Sequence, residues 1–388
     1  MPLDLGTEVK RHAADLLERR RWFHAHPELA FQEVQTSGMI ADHLESWGYA
    51  VERGVATTGV LATLSGGREG RHVLVRADMD GLPLREDSSL PFKSTHDGVM
   101  HACGHDVHMA IALTAAQVLA AGREQLAGTV RFAFQPAEEV AGGARPMVEA
   151  GALEGIDRVV GLHVWAGLPS GSLSIRSGPM MASADWFTLR IEGKGGHGAE
   201  PHRGVDPVVI AAAVVTALQT LVSRETAPIA PVVLTLGTIR GGTAHNIIAS
   251  DVTIEGTLRT FDSVLRQELL RRIEELAQGV AQAMRGRARF TLQSGAPPVV
   301  NNEQIARLVD EVARQVVGPQ GVIPFEPLMV GEDVAYFLEQ RPGCFFLLGG
   351  APDGPAVVHH TADFRIDEGC LVVGLKVLTA AILRLAEP

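Results

Sequence analysis

The sequence of 388 residues contains few cysteines, and their positions argue against a secreted fold held together by disulfides. There are three of them, an odd number without closely spaced pairs: Cys103, Cys344 and Cys370. The first segment, MPLDLGTEVKRHAADLLERRRWF, is charged and lacks the apolar core of a signal peptide. We therefore expect reduced thiols and a cytoplasmic protein.

Long apolar runs and basic clusters are also lacking. Although 46% of the residues are hydrophobic, no apolar run approaches the roughly 20 residues that a membrane-spanning helix requires. The net charge is -11, and Lys and Arg cluster only at Arg19 to Arg21, so the chain lacks the basic surface that nucleic-acid phosphates demand. We expect a globular protein that binds neither membranes nor nucleic acid.

The length and the pattern of strands and helices predict two domains. A chain of 388 residues is longer than one hydrophobic core usually serves. Strands and helices alternate up to about residue 180, which is typical of an α/β fold. Residues 182–295 instead follow the β-α-β-β-α-β order of a ferredoxin-like unit, and buried-strand character returns afterwards in CFFLLGG. We predict a discontinuous α/β domain with a sheet flanked by helices, residues 1–181 and 296–388, interrupted by an α+β domain.

The octapeptide HACGHDVH, residues 101–108, concentrates one thiol, three imidazoles and a carboxylate in a short segment. Only one residue separates Cys103 from His105, so in a strand end or tight turn both side chains can point toward one metal ion. Alone this spacing is a weak signal, because single cysteines and histidines are more often core residues. The segment predicts a metal site if the rest of the chain supplies further ligands and a base.

Carboxylates follow two of the predicted strands. Asp78 and Asp80 end the strand HVLVRADMD, and Glu138 and Glu139 follow the strand TVRFAFQ. Binding sites of open α/β sheets lie beyond the carboxyl ends of the strands, so these groups could converge. Adjacent residues in a turn point in different directions. One glutamate could therefore bind a metal while the other acts as a base toward water, although a solvated loop would also explain the pair.

Histidines interrupt or follow two apolar strands. His163 in GLHV breaks an otherwise apolar strand, and a buried imidazole there needs either a hydrogen-bond partner or a metal. His359 and His360 in VVHHTADF follow another apolar stretch. Because adjacent residues at a strand end face opposite ways, we expect one of this pair to reach the site.

A series of motifs, taken in order, resembles the M20 metallopeptidase family and specifically its aminoacylase and hippurate hydrolase-like branch. These motifs run from about His24 to Glu368: RADMDGLPL, HACGHDVHMA, FQPAEE, GLHV, GKGGHGAEPH, DPV, GGTAHNII, GEDVAYF and HHTADF. The resemblance implies a two-metal amidohydrolase. It further implies that the discontinuous domain is the catalytic one and that the inserted domain serves as a lid and a dimerisation surface.

The resemblance also implies roles for individual residues. The metal ligands would be Cys103 as the bridging ligand, with His105, Glu139, His163 and His360. Glu138 would be the general base. Counting back from Pro83, Asp80 matches the family's Asp that orients a ligand, and Asp78 stands where many members have a ligand His. The alternative alignment, in which Asp78 orients the ligand, stays open.

Residues of the inserted domain would contact the substrate. By the same resemblance, His197 in GGHGAEPH would stabilise the oxyanion from the partner subunit. Asn246 and Arg259 would hold the substrate's carboxylate, for which a guanidinium group is well suited. Glu332 in GEDVAYF would lie at the wall of the substrate pocket.

The resemblance thus implies hydrolysis of the amide bond of N-acyl amino acids, hippurate-like or N-acetyl, to a carboxylic acid and a free amino acid. A metallo-carboxypeptidase or dipeptidase stays open, because a peptide also ends in a carboxylate. A catalytically silent metal- or ligand-binding protein is a further alternative, and it would not need Glu138. We expect two divalent ions per subunit (Zn, Mn, Co or Ni), a small-molecule substrate, and a homodimer or homotetramer.

Overall fold

The computed structural model describes residues 5–388, and residues 1–4 of the predicted first domain lie outside the described part. The first part of the chain contains three helices, then three strands, and then a mixture of both. In order they are α1 (Leu5–Arg11), α2 (Ala13–Ala25), α3 (Val34–Ser46), β1 (Ala50–Val55), β2 (Gly59–Ser65), β3 (Arg68–Asp78), α4 (His105–Ala121), β4 (Ala127–Gln135), α5 (Ala144–Glu149), β5 (Arg158–Pro169), β6 (Leu173–Ser174) and β7 (Gly178–Met181).

The chain then builds a second group of elements. These are β8 (Ala184–Glu192), β9 (Gly196–His197), α6 (Pro207–Thr220), β10 (Val232–Gly241), β11 (Ile247–Ile248), β12 (Asp251–Thr260), α7 (Ser263–Ala283) and β13 (Arg287–Ala296). The remaining elements are β14 (Val299–Asn301), α8 (Glu303–Val317), α9 (Ala335–Gln340), β15 (Gly343–Ala351) and α10 (Cys370–Ala386).

The six strands before β7 and the late strand β15 form one seven-stranded mixed sheet, in the order β1-β2-β4-β3-β5-β15-β6. The central pairs β3–β4, β3–β5 and β5–β15 are parallel. Residues 343–350 of β15 are all buried, as expected for a parallel strand covered on both faces. Apolar side chains of α4 and α10 belong to the same core as those of the sheet. The predicted α/β class with a mixed sheet flanked by helices is confirmed.

Strand direction brings the predicted carboxylates together. In the parallel pair β3–β4, Asp78 lies opposite Gln135, so both strands end at the same edge of the sheet. Asp80 follows β3 by two residues, and Glu138 and Glu139 follow β4 within four residues. This is the edge at which α/β sheets bind ligands.

A four-stranded antiparallel sheet forms in the inserted segment, in the order β10-β12-β8-β13. Helices α6 and α7 bury Ile210, Val214 and Ile273 in its core. Both helices begin at an aspartate whose side chain accepts backbone N–H groups of the first turn. The strand order and the two helices confirm the predicted ferredoxin-like arrangement.

The chain divides into two compact units. The first comprises Met1–Gly178, Val300–Glu326 and Asp333–Pro388, and the second comprises Pro179–Val299 and Pro327–Glu332. The domain boundaries drawn from the sequence at residues 182 and 295 stay a prediction.

One expectation about apolar runs was wrong. Within residues 5–388, the stretch Pro207–Glu225, which contains α6, is long and apolar enough to cross a membrane by length and composition. Core helices of other proteins meet the same criterion. The inner face of this helix packs Ile210, Val214 and Leu218 into the core of the second unit.

Candidate metal centre

A tight turn places Cys103 and His105 before and at the start of α4. Gly104 between them has a φ of +94°, and a Cβ there would lie 2.3 Å from Cγ1 of Val164. A residue at this position must adopt a positive φ and must lack a Cβ, and only glycine does both. The turn therefore lets strand β5 approach the backbone between the two predicted ligands.

The imidazole of His105 is oriented by its backbone partner. Its Nδ1 donates to the carbonyl oxygen of Asp80 at 2.8 Å, so in the neutral ring Nε2 carries no proton. This Nε2 is buried and has no hydrogen-bond partner among the described residues, and the same holds for Oε1 of Glu139, 3.8 Å away. Buried acceptors that face each other without a donor are what a cation between them would satisfy.

His163 has the same arrangement on β5. Its Nδ1 donates to the carbonyl oxygen of Val164 at 2.6 Å, and its Nε2 lies 3.5 Å from Sγ of Cys103. Burial lowers the pKa of His163 well below its ordinary value, so the ring is neutral at neutral pH. A neutral imidazole with a free Nε2 is the form that binds metals.

Two groups of ligand atoms share the thiol of Cys103. In each, the ligand atoms lie within 4.8 Å of one another, and the groups are Cys103, His105 and His163, and Cys103, Glu139 and His360. These are the predicted ligands. The donor set of thiolate, imidazole and carboxylate suits Zn²⁺ and other first-row divalent ions. The residues therefore fit divalent metal ions, with the thiol of Cys103 near both groups of ligand atoms.

The adjacent histidines His359 and His360 point in different directions. His360 donates its backbone N–H to Ala102, and its Nε2 lies 3.3 Å from Oε2 of Glu139. His359 is half-buried with its ring 5.5 Å from that of His163; its Nε2 accepts the N–H of Ala166, and burial lowers its pKa to about 3. Of the two histidines, His360 is therefore the one whose ring nitrogen lies near the predicted ligand Glu139.

Asp80 binds the backbone of both glutamates. Its Oδ1 accepts the N–H of Glu138 at 3.0 Å, and its Oδ2 accepts the N–H of Glu139 at 3.1 Å. The carboxylate also lies 3.4 Å from Nδ1 of His105. Asp80 thus contacts a predicted ligand and the predicted base together, which supports the register that gives it the orienting role.

Asp78 lies deeper. Its Oδ1 accepts from Nδ1 of His108 at 2.6 Å, and its Oδ2 accepts from Arg76 at 2.7 Å. Nε2 of His108 accepts the N–H of Val164 at 2.8 Å, so this imidazole joins β3 to β5 and has no nitrogen free for a metal. The fixed charge of Arg76 and the two neighbouring histidines hold the pKa of Asp78 well below its usual range despite complete burial.

The loop that carries the two glutamates is held in an uncommon conformation. Ala137 and Ala141 of this loop have φ angles of +54° and +49°. His360, which lies between β15 and α10, has a φ of +64°. A left-handed conformation costs a residue with a Cβ about 1–2 kcal/mol. Such residues cluster where the surrounding structure fixes a functional geometry.

Sequence reasoning missed two buried carboxylates that hold this loop. Glu33 accepts the N–H of Ala137 at 2.9 Å, and Asp333 accepts the N–H of Ala144 at 3.1 Å. An acidic residue directly before an apolar helix was the available signal for Glu33. It had no detectable partner, because that partner lies 104 positions later.

His24, at the end of α2, lies in a buried charge network. Its Nδ1 lies 2.7 Å from Asp106, its Nε2 lies 3.2 Å from Glu86, and Nε of Arg20 lies 3.1 Å from the same Asp106. The network packs α2 against the first turn of α4, directly after His105.

The predicted substrate residues lie in the second unit. His197 in β9 pairs with Ile247 in β11, and Gly198 donates its N–H to the carbonyl oxygen of Asn246, so His197 and Asn246 are neighbours. Nδ1 of His197 accepts the N–H of Ala199, which leaves Nε2 as the donor. Arg259 lies on β12, where burial lowers its pKa, and Glu332 is 3% exposed.

Known proteins resemble this chain over most of its length. The N-acetyl-L-cysteine deacetylase of Bacillus subtilis (strain 168) is 40% identical over 390 residues, covering 100% of this chain and 91% of that protein. The N-acyl-L-amino acid amidohydrolase of Geobacillus stearothermophilus is 44% identical over 77% of this chain and 80% of its own. Thermostable carboxypeptidase 1 of Saccharolobus solfataricus is 36% identical over 96% of each.

A solved structure agrees with these sequence relationships. A Bacillus subtilis protein described as a dinuclear metal-binding peptidase of the M20 family superposes with a TM-score of 0.82 and 34% identity, over 96% of this chain and 98% of that one. The sequence profile of Peptidase family M20/M25/M40 matches residues 74–384. These matches confirm the resemblance, and this chain belongs to the M20/M25/M40 peptidase family.

Proposed function

We propose that this protein is a metal-dependent amidohydrolase that cleaves N-acyl amino acids, N-acetyl or hippurate-like, into a carboxylic acid and a free amino acid. The observation that carries the proposal is the position of the Cys103 thiol in two groups of ligand atoms at once. A donor atom shared by two groups of ligands suits a site for two ions, which can act together on a water molecule and an amide carbonyl. The deacetylase and the amidohydrolase named above support the class of substrate.

The residues around the thiol suit hydrolysis. Divalent ions held by Cys103, His105, Glu139, His163 and His360 would supply Lewis acidity for a water molecule and for the amide carbonyl. Glu138 lies beside these ligands, with Oε2 3.9 Å from Nε2 of His105. Its carboxylate would take a proton from water and later donate it to the nitrogen of the leaving amine. Asp80 holds the backbone of Glu138 and so limits where that carboxylate can move.

Residues of the second unit would provide the contacts to substrate. His197 has a free Nε2–H that can donate to an oxyanion, and Asn246 beside it offers an amide group. Arg259 would bind the carboxylate that every N-acyl amino acid carries. Glu332 would line the substrate pocket.

A carboxypeptidase or dipeptidase is the second candidate, and one observation favours it: a carboxypeptidase is among the relatives that match almost the full chain. Both candidates use the same groups, because an N-acyl amino acid and a peptide each present an amide near a carboxylate. Parallel assays on hippurate, N-acetyl amino acids and dipeptides separate them. We expect turnover of the acyl amino acids; turnover confined to peptides would refute the amidohydrolase proposal.

Glu138 distinguishes an enzyme from a metal-binding protein. In Glu138→Ala we expect metal content equal to that of the native protein and a loss of kcat of about 10²- to 10⁴-fold, because the proton acceptor is gone. Metal analysis and kinetics on the same preparation test this. Retained turnover would exclude Glu138 as the base.

We also infer a homodimer formed through the second unit. The outer face of α6 exposes Val208 and Val209 at 48% and 54%, and the edge strand β10 exposes Ile239 at 56%. Exposed apolar side chains and an unpaired strand edge are features of interfaces. Sedimentation of the native protein separates a dimer from a tetramer, and Val209→Glu should yield monomers.

The free thiols of all three cysteines support a cytoplasmic location.

A further inference from the structure

Glu33 is a buried carboxylate that takes no part in the ligand clusters. Its residue is 0% exposed and stands directly before α3, yet its side chain makes no capping bond to that helix. Instead Oε1 accepts the N–H of Ala137 at 2.9 Å, and Oε2 accepts the hydroxyl of Thr58 at 2.5 Å. Burial raises the pKa of Glu33, because the charged carboxylate is less favourable away from water.

The amide that Glu33 binds belongs to a left-handed residue. Ala137 has a φ of +54° and comes directly before Glu138. The next two N–H groups, those of Glu138 and Glu139, are bound by Asp80. Three consecutive backbone donors therefore point at two carboxylates, and this sets the direction in which the side chain of Glu138 leaves the chain.

The two carboxylates differ in what else they touch. Asp80 lies within 3.4 Å of Nδ1 of His105, so replacing it would disturb the metal ligands as well. The side chain of Glu33 instead bonds Thr58 and Ala137, neither of which is a predicted ligand. Glu33 therefore offers a way to alter the direction of Glu138 without touching a ligand.

We propose that Glu33 is a positioning residue for Glu138: by binding the N–H of Ala137 it fixes the left-handed turn that orients the carboxylate of the base. The proposal rests on the proposed function, in which Glu138 removes the proton from water. Misplacing a reacting group by about 1 Å can cost about 100-fold in rate. The contact belongs to the loop and not to the ligands, so its loss should lower kcat and spare metal binding.

The test compares variants of the full-length, metal-loaded protein. We expect Glu33→Ala to lower kcat for an N-acyl amino acid by about 100-fold, with KM within about twofold and metal content unchanged. Glu33→Gln should keep most of the activity, because its carbonyl oxygen can accept from Ala137 while its amide donates to Thr58. Glu33→Asp keeps the charge but shortens the side chain, so we expect it to resemble Glu33→Ala.

A second substitution tests the left-handed turn itself. Glycine adopts positive φ without the penalty that alanine bears. In the double variant Glu33→Ala/Ala137→Gly we therefore expect kcat to recover by at least about fivefold over Glu33→Ala. The matched control is Glu28→Ala, since Glu28 also accepts two backbone N–H groups, those of Gln35 and Thr36, but makes no contact with the loop. Its kcat should equal that of the native protein.

The outcomes separate the two proposals. A native protein without hydrolytic activity overturns the proposed function and this inference with it. The inference alone is overturned if the native protein is active, Glu138→Ala is inactive and Glu33→Ala has an unchanged kcat. A loss of metal from Glu33→Ala also overturns it, as does a loss of kcat in Glu28→Ala equal to that in Glu33→Ala. If Glu33→Ala fails to fold, the comparison of Glu33→Gln with Glu33→Asp decides, because a role of the charge alone would make Asp the more active of the two.

Discussion

Cys103 connects the two groups of ligand atoms, which have no other member in common. Its thiol is partly exposed, whereas Cys344 and Cys370 are buried in the core, where burial raises the pKa of Cys344 and brings that of Cys370 to about 12. The sequence could single out Cys103 because a histidine follows two positions later. The other cysteines follow no such pattern and are inert packing residues.

Replacing Cys103 should therefore change the number of bound ions. We expect Cys103→Ala to hold fewer than two ions per subunit and Cys103→Asp to hold both, because a carboxylate can bridge two ions where a methyl group cannot. Elemental analysis after gel filtration measures the ratio. Two ions per subunit in Cys103→Ala would contradict the bridging role, and Cys344→Ala is the control that should leave the ratio unchanged.

His101 is a buried imidazole without a hydrogen-bond partner in the described part of the chain, and burial lowers its pKa to about 4. In the unfolded chain its pKa is about 6.5, so between these values the unfolded state binds the proton and the folded state does not. The contribution of this residue to stability is complete above pH 6.5 and is lost as the pH falls toward 4.

The variant His101→Phe removes that titration. In the native protein one proton corresponds to a slope of up to about 1.4 kcal/mol per pH unit in the free energy of unfolding across this window. We expect the slope of His101→Phe to be smaller by that amount. Urea unfolding at several pH values between 4 and 7 measures both slopes, and equal slopes would mean that His101 is already protonated in the fold.

Among the elements, the ends of the strands that carry the site residues were predicted best from the sequence. Buried apolar strands predict a sheet, and parallel strands deliver their following residues to one edge, so Asp80 and Glu138 were expected to meet. The strand pattern could not predict the backbone conformation of the loop between Pro136 and Gly143. That loop is bound by Glu33 and Asp333, which come from distant parts of the chain, so the local sequence does not reveal these contacts.

Helix α7 and strand β8 are joined by a buried ion pair that can be tested by itself. Nε and Nη2 of Arg266 donate to the carboxylate of Asp185 at 2.7 to 3.1 Å, and Asp185 is 0% exposed. Breaking such a pair leaves a charge buried alone, so Asp185→Ala should lower the free energy of unfolding by about 3–5 kcal/mol. Urea denaturation of the intact chain measures the loss. Glu275→Ala, which removes an exposed ion pair of the same helix, should leave the unfolding midpoint nearly unchanged.

For the whole molecule, the metals should couple activity to stability. Ions that bind only the folded chain stabilise it, so their removal by a chelator should lower the melting temperature and abolish hydrolysis. Adding Zn²⁺, Mn²⁺, Co²⁺ or Ni²⁺ back in turn should restore both, and the most active ion identifies the preferred metal. A melting temperature that does not respond to the chelator would show that the predicted ligands hold no ion.

The sequence by itself determined the fold class, the ferredoxin-like order of the inserted elements and the residue types of the site. Those features depend on local periodicity and on motifs a few residues long, which survive in the linear chain. It left open which of His359 and His360 and which of Asp78 and Asp80 belongs to the site, because neighbouring residues carry the same chemistry. The resemblance favoured His360 and Asp80, and the tertiary structure supports that choice through hydrogen bonds to strands far away in sequence. The contact between Glu33 and Ala137 also became visible only in the tertiary structure, for the same reason.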